Sequence, residues 1–170
     1  ISPSAKEVSR YREALMHGYE RQQQGIIGNG TLISMFQLLK NSSEAFRTSG
    51  GTVLKNDRTG ATVFVPPQDG ASVQAHMQAL EKFINDDGVS QLDPIIKMAL
   101  IHHQFESIHP FSDGNGRIGR ILCVLYLVQA GLLDSPVLYL SRYINHNKSE
   151  YYRLLQAVRD ASPSAEPHAE

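Results

Sequence analysis

Hydrophobic residues recur at helical spacing along most of the chain. One face of the first predicted helix, which ends near the polar run 21–24, carries Val8, Tyr11, Leu15 and Tyr19. A second helix is predicted to open at Thr31 and to extend as far as Phe46. The same spacing predicts further helices after Ser72, from Asp93 to about Ile108, from about Arg117 to Ala130, and from Asn147.

Several of these predicted helices have recognisable ends. Asp93 followed by Pro94 is typical of an N-cap and first helical turn. Gly131 is placed to end the helix that begins near Arg117. Asn147 with Glu150 three residues later has the spacing of a capping box, in which the two residues bond each other's backbone N–H groups.

Only one stretch favours strands. Residues 52–55 and 61–65 are rich in β-branched side chains and flank the turn-forming run 56–60, and Pro66-Pro67 follow. The pattern therefore predicts an all-α fold with one β-hairpin. We expect a single domain over residues 1–160 and a flexible tail over residues 161–170.

Composition narrows the class of protein. The 170 residues carry a formal net charge of −1, which argues against a general nucleic-acid binder. The longest apolar run, 121–128, is too short to span a bilayer, so no membrane association is expected. Cys123 is the only cysteine, which excludes an internal disulfide. The expected location is the bacterial cytoplasm, where thiols stay reduced.

The segment 109–120, His-Pro-Phe-Ser-Asp-Gly-Asn-Gly-Arg-Ile-Gly-Arg, lies between two predicted helices. Gly114-Asn115-Gly116 entering a helix would expose backbone N–H groups, which form an anion-binding nest at the positive end of the helix dipole. Arg117 and Arg120 share a face of the first turn, where cations oppose that dipole. A bound polyanion would make both arginines favourable, so the pattern predicts a phosphate site.

Two further residues of the segment suit phosphate chemistry. Asp113 would repel a phosphate unless a divalent cation lay between them, and Mg²⁺ with one carboxylate and phosphate oxygens is the usual arrangement. His109 is a titratable base at the edge of this site. The residues alone therefore indicate metal-assisted phosphoryl or nucleotidyl transfer.

The segment 109–120 resembles the Fic family signature, His-x-Phe-x-(Asp/Glu)-Gly-Asn-Gly-Arg-x-x-Arg, at every fixed position. The likeness extends to the hairpin ending in Pro66-Pro67 and to Asn147 with Tyr151-Tyr152. The resemblance implies a mainly helical Fic domain that transfers AMP from ATP to a protein hydroxyl.

The family's functional positions can be carried over to this chain. The resemblance implies that His109 is the base, that Phe111 anchors the loop in the core, and that Asp113 holds Mg²⁺. Gly114, Asn115, Gly116, Arg117 and Arg120 would bind the ATP phosphates. Adenosine would lie at Asn147, Tyr151 and Tyr152. The hairpin at Val53, Leu54 and Lys55 would be the flap that docks the target protein by strand addition.

Some alternatives stay open at this stage. Fic relatives also transfer other phosphate-containing groups or remove AMP, although relatives that move a phosphoryl or phosphocholine group commonly alter the position of Gly116, which is intact here. A non-catalytic module that binds nucleotide and peptide is the alternative from another class. Many relatives carry an inhibitory helix, but Ser162–Glu166 has only its spacing, with Pro167 in the next position. We expect that helix upstream in the same protein or on a partner.

Overall fold

The computed structural model describes residues 2–55 and 59–161, and its chain divides into two units, residues 1–138 and 139–170. The described residues are mainly helical, with one small antiparallel sheet, which confirms the predicted fold class. The elements of the first unit are α1 (Pro3–Gln22), α2 (Asn29–Lys40), β1 (Leu54–Lys55), β2 (Thr62–Phe64), α3 (Gly70–Asn85), α4 (Pro94–Ile108) and α5 (Asn115–Gln129). Those of the second unit are α6 (Leu140–His146) and α7 (Lys148–Ala161).

Most predicted helix ends lie close to the observed ones. The Asp93 side chain accepts a hydrogen bond from the Ile95 N–H at 2.9 Å, so it caps α4 as expected. Gly131 follows the last turn of α5 with a φ of 71°, a left-handed conformation that glycine adopts readily. The neighbouring Leu132 N–H donates to the Leu127 carbonyl at 2.9 Å, which completes the helix ending.

The second helix differs from its prediction at both ends. It begins at Asn29, because the Glu81 carboxylate of α3 accepts a hydrogen bond from the Asn29 N–H and takes the place of a local cap. It ends at Lys40, where Asn41 adopts a left-handed conformation, so Phe46 lies outside the helix. Gly28 is the N-cap residue of α2, and Asn29 and Gly30 lie in its first turn.

The core of the first unit lies around α5, most of whose residues are buried. Helices α1, α2 and α4 pack against it, and α3 packs against α2 and α4. Gly18 marks the closest approach of α1, since an added Cβ would lie 2.3 Å from Met35 Sδ and 2.7 Å from Leu125 Cδ1. The predicted inner face of α1 is correct for three of its four residues, but Val8 is 69% exposed. Because α4 and α5 pack against each other in this core, both ends of the loop that connects them are held in place.

The hairpin is present but shorter than predicted. Leu54 pairs with Phe64 and Lys55 with Thr62, and an irregularity in register lies between the two pairs. The predicted turn residues 56–58 lie outside the described part of the chain. After the hairpin, the Gln68 side chain donates hydrogen bonds to the carbonyls of Thr52 and Pro66. Gln68 therefore joins the two arms at their base.

The second unit contains a helix that the sequence pattern did not predict, α6, followed by α7. The predicted capping box is wrong. Asn147 ends α6, and its side-chain amide donates to the Tyr143 carbonyl at 2.9 Å. The Glu150 carboxylate instead accepts two hydrogen bonds from Arg153, at 2.6 and 2.7 Å.

Within residues 2–55 and 59–161, no helix combines the length and apolar character needed to cross a membrane.

Candidate active site

The predicted base lies where α4 ends. His109 is the C-cap of α4 and has a φ of 50°, and its N–H donates to the Phe105 carbonyl at 3.0 Å. A left-handed residue here turns the chain out of the helix and into the connection to α5. A non-glycine residue in this conformation is uncommon and strained, so surrounding contacts must fix it.

Phe111 fixes the connection from below. Its side chain is fully buried and stacks on Phe36 of α2, with ring centroids 4.2 Å apart and planes 7° from parallel. The rings of Phe46 and Phe105 lie 5.3 and 6.4 Å away. The predicted role of Phe111 as the core anchor of the loop is therefore confirmed, and Phe46 contributes to the same cluster from outside α2.

Asn115 holds the loop from the side of α5. Its carboxamide, buried to 2% exposure, accepts from the Phe111 N–H and donates to the Phe111 carbonyl, both at 2.9 Å. This pair of bonds satisfies both backbone groups of a buried residue. The Asn115 side chain is thus committed to the loop itself, and its backbone N–H is one of the first N–H groups of α5.

The start of α5 has the properties of an anion site. Gly114 precedes the helix with a φ of 77° and has no side chain that could cap it. The first N–H groups of a helix have no acceptor within the helix, and they form the positive end of its dipole. No acidic residue lies in the first turn of α5, whereas Arg117 lies in that turn and Arg120 follows it. A phosphate is the kind of ligand that such a helix start favours.

Asp113 lies at the centre of a group of charges. Its carboxylate forms an ion pair with Lys40 at the end of α2, and Arg117 Nη2 lies 3.7 Å from Oδ2. The hydrogen bond from Lys40 is the largest cause of a lowered Asp113 pKa, assisted by the Gly114 N–H and by the charge of Arg117. The side chain is 64% exposed. Asp113 is therefore an ionised carboxylate that a cation in solution can reach.

Arg117 is paired on its other side with α1. Its Nη1 lies 2.5 Å from Glu7 Oε1, so the guanidinium bridges a residue of α1 and the loop. A polyanion binding at the start of α5 would compete with Glu7 for these donors. Glu7 was not predicted from sequence, since nothing local distinguishes it from other exposed acids on α1.

The Arg120 side chain lies close to Gly116, one turn earlier in α5. An added Cβ on Gly116 would lie 3.2 Å from Arg120 Nη1, and one on Gly119 would lie 3.0 Å from Glu106 Oε1 and 3.1 Å from Phe105 Cδ1. Gly116 therefore leaves room for the Arg120 side chain of the same helix, and Gly119 lets α5 approach α4 closely. Burial lowers the pKa of His102 on α4 to about 4, although a hydrogen bond with the Gly119 backbone acts in the opposite direction. His102 is therefore neutral at pH 7 and joins the two helices beneath the loop.

The comparisons with known proteins agree with this geometry. The Fic/DOC family model matches residues 31–127, more than half of the chain. The chain belongs to the Fic/DOC family. The match covers α2 to α5 and contains the whole Fic motif, residues 109–120.

Curated relatives and solved structures extend the comparison. The protein adenylyltransferase Fic of Drosophila erecta is 34% identical over 96 residues, and that of Drosophila virilis is 35% identical over 96. Each match covers 56% of this chain and only 18% of the relative. A Fic family protein from Desulfovibrio desulfuricans has a TM-score of 0.71 at 26% identity, over 91% of this chain and 45% of its own. A Fic domain-containing signaling protein from Bacteroides thetaiotaomicron has a TM-score of 0.62 at 22% identity, which shows the fold.

The remaining predicted site residues lie outside the Fic motif. Val53, Leu54 and Lys55 form the first arm of the hairpin, where Lys55 is exposed and Leu54 half-buried. Asn147, Tyr151 and Tyr152 belong to the second unit. There the two tyrosine rings meet edge to face at 5.1 Å, and the Tyr152 side chain is 53% exposed. Tyr152 is therefore not a core residue.

Cys123 lies in the apolar middle of α5, between Leu122 and Val124. Its thiol is buried in α5, and burial raises its pKa to about 12. A thiol with this pKa stays protonated at neutral pH and is a poor nucleophile.

The residues near the Fic motif that were not singled out from sequence include Lys40, Glu7 and Arg47. Each contacts the motif from a distant part of the chain. Lys40 is the last residue of α2, and Arg47 lies within the connection between α2 and the hairpin, where no periodicity marks individual residues. Only the folded chain places them at the site.

Proposed function

We propose that the chain transfers AMP from ATP to a Ser, Thr or Tyr hydroxyl of a target protein, with His109 as general base. The observation that carries the proposal is the charge arrangement at the start of α5. Two arginines and uncapped backbone N–H groups lie there beside an ionised aspartate. The relatives named protein adenylyltransferase Fic support the choice of AMP as the transferred group. Because the match spans 18% of those relatives, the activity of the whole protein is part of this proposal.

His109 removes the proton from the target hydroxyl as its oxygen bonds to the α-phosphorus of ATP. The bond from that phosphorus to the oxygen bridging the α- and β-phosphates breaks, and pyrophosphate leaves. The backbone of Gly114, Asn115 and Gly116, together with Arg117 and Arg120, holds the phosphates and orients the leaving group. Fixing the hydroxyl and the phosphorus in line is the main contribution we expect from the protein.

The residues present fit a magnesium ion. Asp113 supplies an exposed, ionised carboxylate, and the neighbouring anion site would bring phosphate oxygens as further ligands. Asp113 would hold the Mg²⁺, which would neutralise part of the charge of the phosphates. Lys40 now makes the ion pair with Asp113 and would have to move aside for the metal.

Other parts of the proposal concern partners. We assign adenosine to Asn147, Tyr151 and Tyr152, and docking of the target protein to the hairpin at Val53–Lys55, on the family resemblance alone. An inhibitory helix, in the same protein or on a partner, belongs to the same proposal. The possible inhibitory segment Ser162–Glu166 lies outside the described residues. The bacterial cytoplasm stays a predicted location.

A labelling experiment tests the proposed reaction. The full chain is incubated with Mg²⁺, a cell lysate and ATP labelled at either the α- or the γ-phosphate. We expect protein labelling from the α-label alone, lost by about two to four orders of magnitude in His109→Ala. His76→Ala changes an exposed histidine of α3 and serves as the matched control, which should label as the wild type does.

Each contrary result points to a different function. Label from the γ-position would indicate phosphoryl transfer and overturn AMP transfer. Release of AMP from a previously labelled protein would indicate the removal reaction. Nucleotide binding without labelling, and unchanged by His109→Ala, would indicate a non-catalytic binding module.

A further inference from the structure

Three consecutive backbone carbonyls around His109 accept hydrogen bonds from one residue, Arg47. Its Nη2 donates to the Ile108 carbonyl at 3.1 Å and its Nε to the His109 carbonyl at 2.7 Å. Its backbone N–H donates to the Pro110 carbonyl at 2.8 Å. We call this set of three bonds the Arg47 clamp. It holds the backbone on both sides of the residue that bears the imidazole.

The clamp satisfies backbone carbonyls at the end of α4. The last carbonyls of a helix have no intrahelical partner, and the C-terminal end of the helix dipole favours a cation. At the end of α4 no basic residue lies in the last turn, so Arg47 supplies this cation from elsewhere in the sequence. It also explains how the left-handed conformation of His109 persists, because bonds on either side leave the backbone little freedom.

Besides the bonds that it makes, Arg47 also brings a cost to folding. Arg47 is only 9% exposed, and burial lowers its pKa. Its Nη1 is buried without a hydrogen-bond partner among the described residues. A buried, incompletely bonded guanidinium opposes folding. Retaining it is easier to explain if the clamp has a further role.

We propose that Arg47 is the positioning residue that sets the place of the His109 imidazole for catalysis. The inference rests on the proposed function, in which His109 is the base. Arg47 acts through the backbone of residues 108–110 and contacts no substrate in this scheme. The hairpin follows Arg47 along the chain, so the clamp also fixes the start of that segment relative to His109.

The test compares Arg47→Gln and Arg47→Lys with Asn85→Ala. Asn85 makes a similar bridge elsewhere, since its carboxamide bonds both the N–H and the carbonyl of Ile27, at 3.1 and 2.8 Å. Losing either bridge should lower the melting temperature. Rates of AMP transfer are measured well below that temperature and divided by the concentration of nucleotide-binding sites.

For Arg47→Gln we expect kcat to fall about 10- to 100-fold while KM for ATP changes less than about twofold, because the phosphate-binding residues of α5 are untouched. Arg47→Lys keeps the positive charge but cannot donate to two carbonyls as the planar guanidinium does. Its kcat should therefore lie between those of Arg47→Gln and the wild type. Hydrogen exchange should become faster specifically at the amides of His109 and Phe111, on either side of Pro110. Asn85→Ala should leave kcat per site and exchange in the loop unchanged.

The contrary outcomes separate the two proposals. Wild-type kcat per site in both Arg47 variants, or a fall matched by Asn85→Ala, would overturn the positioning role. Should Arg47→Gln fail to fold, Arg47→Lys decides the question alone. A lower kcat with little change in KM for ATP supports the positioning role, and a wild-type kcat overturns it. If His109→Ala retains full transfer, the proposed function fails instead, whatever the Arg47 variants do.

Discussion

The loop that carries the Fic motif and the hairpin are both expected to meet the target protein, yet they are held in different ways. The loop is fixed by buried groups on three sides: the Phe111 ring, the Asn115 carboxamide and the Arg47 clamp. The hairpin consists of two short strands, largely exposed, whose arms are joined at the base by Gln68. A site that must place a base and a phosphate within tight limits needs the first construction. A surface that only pairs backbone groups with a target needs much less support.

The largest expected difference comes from removing the core anchor of the loop. Phe111→Ala should lower the free energy of unfolding by about 3–5 kcal/mol, since it opens a cavity beneath three aromatic rings. Val63→Ala in the hairpin, where the side chain is 39% exposed, should change it by less than about 0.5 kcal/mol. Urea denaturation of both variants measures the contrast. Equal losses in the two would contradict the idea that support is concentrated under the loop.

Acid should weaken the support beneath the loop through His102. Its folded-state pKa, about 4, lies below the ordinary value of 6.5, so the unfolded chain takes up a proton first as pH falls. Stability is therefore complete above pH 6.5 and declines between 6.5 and about 4, by about 3 kcal/mol in all. We expect His102→Gln to lose less stability over this interval when unfolding is measured at pH 7 and 4.5. The exposed His76→Gln should follow the wild type, and identical acid losses in all three proteins would exclude His102 as the cause.

The Asn115 carboxamide provides a smaller but more local test. Asn115→Ala leaves the buried N–H and carbonyl of Phe111 without partners and should destabilise the chain by about 2 kcal/mol. Ser112→Ala removes one exposed hydrogen bond of the same loop, to Glu44, and should change stability by less than about 0.5 kcal/mol. Thermal unfolding with hydrogen exchange at the Phe111 amide measures both. Unchanged protection of that amide in Asn115→Ala would show that the loop holds its form without the carboxamide.

The smallest expected effect concerns the ion pair between Glu7 and Arg117. Glu7→Gln removes the acid that competes with phosphate for Arg117, and should tighten ATP binding about two- to fivefold. An exposed ion pair contributes at most about 1 kcal/mol, which limits the gain. Calorimetric titration with Mg-ATP measures it, and Glu13→Gln, an exposed acid on the same helix, is the control. Weaker binding in Glu7→Gln would mean that Glu7 orients Arg117 for the nucleotide and does not compete with it.

Local sequence predicted the elements whose causes are local. The cap at Asp93 and the end of α5 at Gly131 depend on neighbouring residues, and both were predicted correctly. The start of α2 was not, because its cap is Glu81, a residue of another helix. The capping box at Asn147 failed because α6 precedes it and Arg153 engages Glu150. Short helices such as α6 carry too few periodic positions to be recognised.

By itself, the sequence determined the helical fold, the hairpin and the Fic motif, because periodicity, turn residues and motif spacing are properties of neighbouring residues. Tertiary structure alone decided which residues surround the motif. Arg47, Lys40 and Glu7 lie 62, 73 and 110 residues from their partners His109, Asp113 and Arg117. Such contacts depend on how the helices pack around α5, and packing brings together side chains whose positions no local pattern relates.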